Sequence, residues 1–311
     1  MIYTITLNPA IDCVIETNQI DFNNTNYYSN SYSLIGGKGI NVAIILNNLK
    51  NDVISTGFLG KNNSDQFLDK FIELNLKNHF FLYDGVTRTN FKIKNLNTFD
   101  EIELNGIGCD LKSSYLNKLL KYLKDNLNKN DIVIASGSAN KSFNDNVYQI
   151  IGDLVNQKQA LFILDTSKKY LLEGLKTKPF LIKPNISELF AVFNEPISYE
   201  FDQIYKKIKQ LQSLGARNIL LSMASKGSYY FSESNDIYKI GVGQGKLVNS
   251  TGAGDSMLAG FVHGLNQQLD IIKTLKYAAS CGSSTAFSKW LATKKEINKQ
   301  LKNIEVKKIE R

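Results

Sequence analysis

Short runs of apolar residues alternate along this chain with longer stretches in which apolar residues recur every three or four positions. The short runs predict buried strands over residues 2–7, 53–58, 132–135, 161–164, 180–183 and 219–222. The periodic stretches predict helices that begin near residue 40, cover 116–127, and run from 201 to a glycine at 215. Because continuous apolar strands alternate with helices, the pattern predicts an α/β fold with a mostly parallel central sheet flanked by helices.

Two stretches depart from this rhythm. Residues 11–35 and about 86–104 alternate polar and apolar positions, as half-exposed antiparallel strands do. We expect them to form a small β-sheet lid on the α/β body. No linker rich in proline and glycine interrupts the chain, so residues 1–311 are expected to form a single domain that includes the lid. The lid strands also offer an edge that could pair two copies, which leaves a homodimer as an alternative to a monomer.

Composition narrows the class of protein. No apolar run reaches the length of a membrane span, and the N-terminus lacks the features of a signal peptide. The three cysteines are far apart, which predicts neither a zinc site nor disulfides, and agrees with a cytoplasmic location. The net charge of +8 comes almost entirely from lysines spread over amphipathic helices. We therefore expect neither a nucleic acid nor a membrane as partner.

The segment Gly252-Ala253-Gly254-Asp255 leads into a helical pattern that continues to residue 265. A small-residue turn at the start of a helix leaves backbone N–H groups free, and the helix dipole adds positive potential, so the turn suits an anion. Asp255 in the first helical turn is then placed as a general base that activates a hydroxyl to attack phosphorus. A plain helix start, with Asp255 as a dipole partner, is the alternative.

Polar residues at two further places suit a sugar phosphate. In segment 36–41, Gly37 allows close approach of a ligand, Lys38 offers a point charge for phosphate, and Asn41 can bind hydroxyls. The spacing is not that of a P-loop, and a surface glycine turn is the alternative. Asn8 and Asp12 follow the first strand, where they could hold sugar hydroxyls or simply form a turn around a proline.

Two other motifs carry charged or amide side chains. In the lid, Arg88 and Asn90 could clamp a phosphate, although an exposed strand charge would account for Arg88 equally well. Farther along, Lys183, Asn185 and Glu188 follow a predicted strand and open a helix. The spacing from Asn185 to Glu188 indicates a capping box, and the same residues could lie near the Mg²⁺ and phosphates of a nucleotide.

The order of these motifs along nearly the whole chain resembles one family. Asn-Pro-x-x-Asp, Gly-Gly-Lys-Gly-x-Asn, an arginine-containing lid, Gly-Ser at 137–138, Lys-Pro-Asn-x-x-Glu and Gly-Ala-Gly-Asp follow each other as in the PfkB carbohydrate kinases, which have a ribokinase-like fold. Within that family, Thr-Arg-x-Asn-x-Lys in the lid is similar to the branch that contains 1-phosphofructokinases and tagatose-6-phosphate kinases.

The resemblance implies ATP and Mg²⁺ as cofactors and a role for each matching position. Asp255 would be the catalytic base, and the N–H groups of Gly252, Ala253 and Gly254 would form the anion hole. The substrate would be bound by Asn8, Asp12, Gly37, Lys38, Asn41, Arg88, Asn90 and Ser138. The nucleotide would be bound by Lys183, Asn185, Glu188, Ser222, Gly227 and Gly254, with Glu188 also an indirect metal contact.

The implied reaction is ATP-dependent phosphorylation of D-fructose 1-phosphate at its 6-hydroxyl, which gives fructose 1,6-bisphosphate. A tagatose-6-phosphate kinase and a catalytically silent sugar-phosphate-binding protein remain alternatives. The chain departs from the family pattern at Ser250-Thr251, where Thr-Val or Pro-Val is more usual, and at 136–140 and 223–225. Tyr27 and Tyr28 stand where some relatives carry a basic residue.

Overall fold

The computed structural model describes residues 1–21, 23–98 and 100–310. Its strands are β1 (Ile2–Thr6), β2 (Ala10–Thr17), β3 (Asn30–Gly36), β4 (Val53–Gly60), β5 (Lys77–Tyr83), β6 (Thr89–Asn95), β7 (Glu101–Asn105), β8 (Ile132–Ser136), β9 (Leu161–Asp165), β10 (Leu181–Ile182), β11 (Asn218–Ser222), β12 (Ser228–Phe231), β13 (Ile237–Ile240) and β14 (Val306–Ile309). The described helices are α1 (Lys38–Asn48), α2 (Asp65–Glu73), α3 (Ser113–Asn126), α4 (Val147–Gln157), α5 (Lys168–Leu175), α6 (Ile186–Ala191), α7 (Phe201–Ser213), α8 (Ala253–Asn266), α9 (Ile271–Ala286) and α10 (Lys294–Leu301).

The larger sheet is mostly parallel, as predicted. Its strand order is β14-β13-β12-β11-β10-β9-β8-β1-β4-β5. Every pair from β5 to β11 is parallel, and β12 to β14 add antiparallel strands at one end. Two apolar clusters cover its faces, one with α1, α2, α8, α9 and α10 and the other with α3 to α7. Burial of both faces explains why these strands are continuous apolar runs.

The predicted strands and helices are present with small changes in length. The strand predicted over 180–183 is reduced to Leu181–Ile182. Pro184 has no N–H to continue the hydrogen-bond ladder, so the strand ends before it. Helix α7 ends where expected, and Gly215 after it has φ of 126°. None of the helices in the described ranges is long and apolar enough to cross a membrane.

The predicted lid is a four-stranded sheet with the order β3-β2-β6-β7. Its outer pairs, β2–β3 and β6–β7, are antiparallel as expected. The central pair, β2–β6, is parallel, so the prediction of antiparallel strands throughout the lid is wrong. The reason lies in the larger sheet, where β1 and β5 run in the same direction. Since β1 leads into β2 and β5 leads into β6, the chain enters the lid in the same direction both times.

Gly57 allows β4 to pass close to the end of β1. It is buried, has φ of 147°, and a Cβ placed on it would lie 2.0 Å from the carbonyl oxygen of Thr6. We expect Gly57→Ala to lower the free energy of unfolding by about 1–3 kcal/mol, since this backbone conformation strains any other residue. Thermal denaturation would measure it. Gly241→Ala is the control, because a Cβ there would have its nearest neighbour at 3.5 Å; equal midpoints for both variants would contradict the prediction.

Candidate active site

Because the parallel strands run in one direction, their carboxyl ends bring several polar residues to one edge of the sheet. Asp165 ends β9 and Ser222 ends β11. Helix α1 begins at the end of β1, where a Cβ on Gly39 would lie 2.5 Å from Thr6 Oγ1. Helix α8 also begins nearby, since a Cβ on Gly254 would lie 3.1 Å from Lys183 Nζ. Crevices at the carboxyl ends of parallel strands are where ligands bind in such sheets.

The turn before α8 opens the predicted helix, but one of the three N–H groups predicted to bind an anion is already hydrogen-bonded. Gly252 is the N-cap residue with φ of 78°, a left-handed conformation that favours glycine. Helix α8 begins at Ala253, and both the N–H and the hydroxyl of Ser256 donate to the carbonyl oxygen of Gly252. The N–H of Ala253 already donates to the carbonyl oxygen of Ser250 at 3.2 Å. In this conformation the Ala253 N–H is therefore used within the turn.

Asp255 lies in the first turn of α8 and is 7% exposed. Asn41, from α1, donates its Nδ2 to Asp255 Oδ2 at 2.8 Å. Burial raises the pKa of the Asp255 carboxyl, whereas nearby Lys38 and Lys183 oppose that shift. The carboxylate thus lies in the first turn of a helix, close to two lysines, in a position that suits a general base.

Lys38 and Lys183 converge on Asp165, a residue that the sequence analysis did not assign to the site. Lys38 Nζ lies 3.4 Å and Lys183 Nζ 3.6 Å from Asp165 Oδ1. Asp165 is 1% exposed, and its Oδ2 has no hydrogen-bond partner within the described part of the chain. The attraction of Asp165 is the largest cause that raises the pKa of Lys38. The available signal was its position as the last residue of a buried parallel strand.

Glu188 closes the predicted capping box and also faces Lys38. In the predicted capping box, the Glu188 N–H donates to Asn185 Oδ1, and Glu188 Oε2 accepts from the Asn185 N–H. Its Oε1 lies 3.7 Å from Lys38 Nζ. One oxygen therefore caps α6 while the other faces the lysine–carboxylate cluster.

The predicted nucleotide residues fall into two places. Ser222 forms an isolated parallel bridge with Asn185, so these two lie side by side. Gly227 lies beyond the short 3₁₀ helix Ala224–Lys226, where a Cβ would meet the carbonyl oxygen of Ile240 at 2.4 Å. The structure thus brings Ser222 next to Asn185, and it places Gly227 against β13.

The carboxylates near Lys38 fit a divalent cation only with help from a ligand. No group of three or more His, Cys, Asp or Glu residues suited to a metal ion occurs among the described residues. Mg²⁺ is often held by one or two carboxylates together with substrate phosphates. The unpartnered Oδ2 of Asp165 and the Oε1 of Glu188 would be the protein part of such a donor set.

Asp12 lies on lid strand β2, and both of its carboxylate oxygens have partners. Asn90 donates its Nδ2 to Asp12 Oδ1 at 2.8 Å, and Lys92 Nζ lies 3.4 Å from Asp12 Oδ2. Asp12, Lys92, Asn41 and Thr251 line one cavity between the lid and the body. The cavity therefore carries the carboxylate and amide groups that suit sugar hydroxyls.

Arg88 is held differently from the predicted phosphate clamp. Its guanidinium donates to the carbonyl oxygens of Asn8 (3.0 Å), Pro9 (3.3 Å) and Gly106 (2.9 Å) and to Asn90 Oδ1 (3.4 Å). These hydrogen bonds connect the segment that follows β1 with the segment that follows β7. In this conformation Arg88 supports the junction between body and lid.

Three other predicted substrate residues lie nearby. Asn8 donates its Nδ2 to the exposed Ser138 Oγ at 3.3 Å, so these two are together. Gly37 is the N-cap residue of α1, next to Lys38. A Cβ on Gly137 would lie 3.7 Å from Lys38 Cβ, which brings the loop after β8 to the same helix start.

We expect Arg88→Ala to lower the free energy of unfolding by about 1–3 kcal/mol, because the partly buried carbonyl oxygens of Asn8, Pro9 and Gly106 would lose hydrogen bonds from a charged donor. Thermal denaturation would measure the change. Arg217→Ala is the matched control, since Arg217 pairs with Glu233 at the surface and its loss should alter the midpoint much less. An unchanged midpoint for Arg88→Ala, with a higher KM for sugar phosphate, would favour the phosphate clamp instead.

The chain is similar to known proteins over nearly its whole length. Residues 3–296 match the pfkB family carbohydrate kinases. A 1-phosphofructokinase of Bacillus subtilis is 34% identical over 309 residues, covering 99% of this chain and 100% of that protein. A tagatose-6-phosphate kinase of Staphylococcus epidermidis is 33% identical, covering 98% and 100%. The fold matches phosphofructokinase-2 from Escherichia coli with a TM-score of 0.90 at 21% identity, covering 97% and 98%. The chain therefore belongs to the PfkB family of carbohydrate kinases.

Proposed function

We propose that this protein transfers the γ-phosphoryl group of ATP to the 6-hydroxyl of D-fructose 1-phosphate, giving fructose 1,6-bisphosphate and ADP. The observation that carries this proposal is the buried Asp255 at the start of α8, which lies near Lys38 and Lys183 and accepts a hydrogen bond from Asn41, a residue that lines the same cavity as Asp12. The similarity to 1-phosphofructokinases over the full chain supports fructose 1-phosphate as the acceptor.

Each part of the site has a task in this reaction. Asp255 accepts the proton of the 6-hydroxyl as its oxygen forms a bond to the γ-phosphorus. The bond between that phosphorus and the β,γ-bridging oxygen breaks, and ADP leaves with the electron pair. Lys38 and Lys183 are cations that offset negative charge on the transferred group. Since phosphoryl transfer requires little covalent help, positioning and charge stabilisation supply most of the rate.

The remaining functional assignments belong to the same proposal. Mg²⁺ bound with the nucleotide would neutralise phosphate charge, and Asp165 and Glu188 would hold it from the protein side. Closure of the lid would exclude water, so that the sugar hydroxyl receives the phosphoryl group. A cytoplasmic location fits the use of ATP. Pairing of two copies through the edge of the lid sheet would give a homodimer.

A coupled assay of ADP release against fructose 1-phosphate, tagatose 6-phosphate and fructose 6-phosphate tests the acceptor. We expect the highest kcat/KM with fructose 1-phosphate. The similarity to tagatose-6-phosphate kinases makes tagatose 6-phosphate the second candidate, and a preference for it would overturn the proposed acceptor. Binding of sugar phosphate without ADP release from any of the three would point to a catalytically silent binding protein.

A further inference from the structure

Lys92 connects the lid to the turn that carries the proposed base. It lies on β6 and is only 7% exposed. Its Nζ donates to Thr251 Oγ1 at 3.2 Å, and it lies 3.4 Å from Asp12 Oδ2 and 3.8 Å from Glu103 Oε1. Asp12 and Glu103 belong to the lid itself, whereas Thr251 belongs to the body. The ammonium therefore bridges the two parts of the molecule above the cavity.

Thr251 is a fixed point on the body side. Its N–H donates to Asn249 Oδ1 at 3.1 Å, and Asn249 donates its Nδ2 to the carbonyl oxygen of Lys289. The N–H of Asn249 also donates to the carbonyl oxygen of Ala286, at the end of α9. Because these hydrogen bonds fix the turn to the end of α9 and the segment after it, the hydroxyl of Thr251 faces the lid in a defined position.

The position of Thr251 along the chain makes the contact relevant to chemistry. Thr251 directly precedes Gly252, the N-cap residue of α8, and Asp255 follows in the first helical turn. Lys92 in turn contacts Asp12, which lines the cavity together with Thr251. One ammonium thus touches both a carboxylate suited to sugar hydroxyls and the turn that leads to the base. A valine at position 251 would have no oxygen to accept this hydrogen bond.

We infer that Lys92 and Thr251 act as a pair of positioning residues. Their hydrogen bond holds the lid, and with it Asp12, in a fixed position relative to the turn that carries Asp255. The inference rests on the proposed function, since it assigns the pair a role in aligning the sugar with its base. Small misplacements of reacting groups cost large factors in rate, so a contact that fixes this alignment affects turnover without touching the transferred phosphoryl group.

Thr251→Val and Thr251→Ser separate this role from simple packing. Valine keeps the branched shape and removes the acceptor, whereas serine keeps the hydroxyl. We expect Thr251→Val to lower kcat/KM for the sugar phosphate about tenfold, the scale of one lost hydrogen bond to a charged group, with KM for ATP unchanged. Thr251→Ser should remain close to wild type. Equal activity of the two variants would overturn the inference.

A double-mutant cycle with Lys92→Met tests whether the two residues act together. Once Lys92 is replaced, Thr251→Val should cause little further loss, because its partner is already absent. Independent losses that multiply in the double variant would contradict the pair. Lys77→Met is the control: Lys77 begins β5, pairs with Asp52 at the exposed surface, and does not line the cavity. We expect it to leave the activity near that of wild type.

Hydrogen exchange of the β6 amides gives a readout that does not depend on turnover. Without substrate, Thr251→Val should speed exchange in β6, and Thr251→Ser should not, since only valine releases the lid from the turn. Unchanged exchange in Thr251→Val would overturn the contact whichever sugar the enzyme uses. A wild-type protein without kinase activity would overturn the proposed function, while exchange would still decide whether Lys92 and Thr251 hold the lid.

Discussion

Replacing Asp255 with asparagine is expected to lower kcat by about 10² or more, the lower scale for loss of a general base. Asparagine has nearly the same shape and can still contact Asn41, but it does not accept the proton of the attacking hydroxyl. Steady-state ADP release at saturating ATP and sugar phosphate would measure the loss. Binding of both substrates should persist, because Asp255 is assigned to proton transfer rather than to affinity.

Thermal denaturation of Asp255→Asn is the control for folding. Burial already disfavours the charged carboxylate of Asp255, so a neutral amide of the same size should leave the fold intact. A second control is Ser138→Ala, whose exposed hydroxyl lies at the sugar side and should affect KM more than kcat. Turnover of Asp255→Asn within a few-fold of wild type would refute the role of Asp255 as the base.

The pH dependence of kcat/KM follows from the same carboxyl. Burial raises the pKa of Asp255, and Asp165 raises it further. A base must be ionised to accept a proton, so activity should fall as pH drops through this pKa, and the acid limb should lie above the usual range of an aspartate. Asp165→Asn removes one of the causes that raise this pKa, so any activity it retains should show an acid limb at lower pH.

Replacing Asp165 with alanine is expected to lower the free energy of unfolding by about 3–5 kcal/mol, the cost of breaking a buried ion pair by removing one partner. Asp165 is 1% exposed, and Lys183, 5% exposed, would lose its carboxylate neighbour at 3.6 Å. Lys38 would lose the same neighbour at 3.4 Å. The positive charges of Lys38 and Lys183 would then lie close together, with one carboxylate fewer to neutralise them.

Chemical denaturation of Asp165→Ala and Asp165→Asn would measure this effect. Asparagine keeps an oxygen near both lysines and should lose less stability than alanine. Asp125→Ala is the surface control, because Asp125 forms an exposed pair with Lys121 one helical turn away, and we expect no measurable change there. A loss for Asp165→Ala no greater than for Asp125→Ala would show that the buried cluster does not stabilise the fold.

Features set by neighbouring residues were predictable from the sequence. Apolar runs located the parallel strands except β5, and helical periodicity located part of the helices that cover them, because burial follows the local pattern of side chains. The glycine turn before Asp255 and the capping box of Asn185 and Glu188 were also predictable, since both depend on residues within one helical turn. The order of motifs along the chain was enough to indicate the PfkB family.

Contacts between distant segments were decided only by the tertiary structure. Asn41 reaches Asp255 across 214 positions and Lys92 reaches Thr251 across 159, so no local pattern could reveal either pair. Arg88 was predicted as a phosphate clamp, yet the packing of body against lid surrounds it with carbonyl oxygens. The sequence thus determined which elements form and which residue types reach the site. How those elements pack decided the partners of each side chain, because charge and hydrogen bonding act through space and not along the chain.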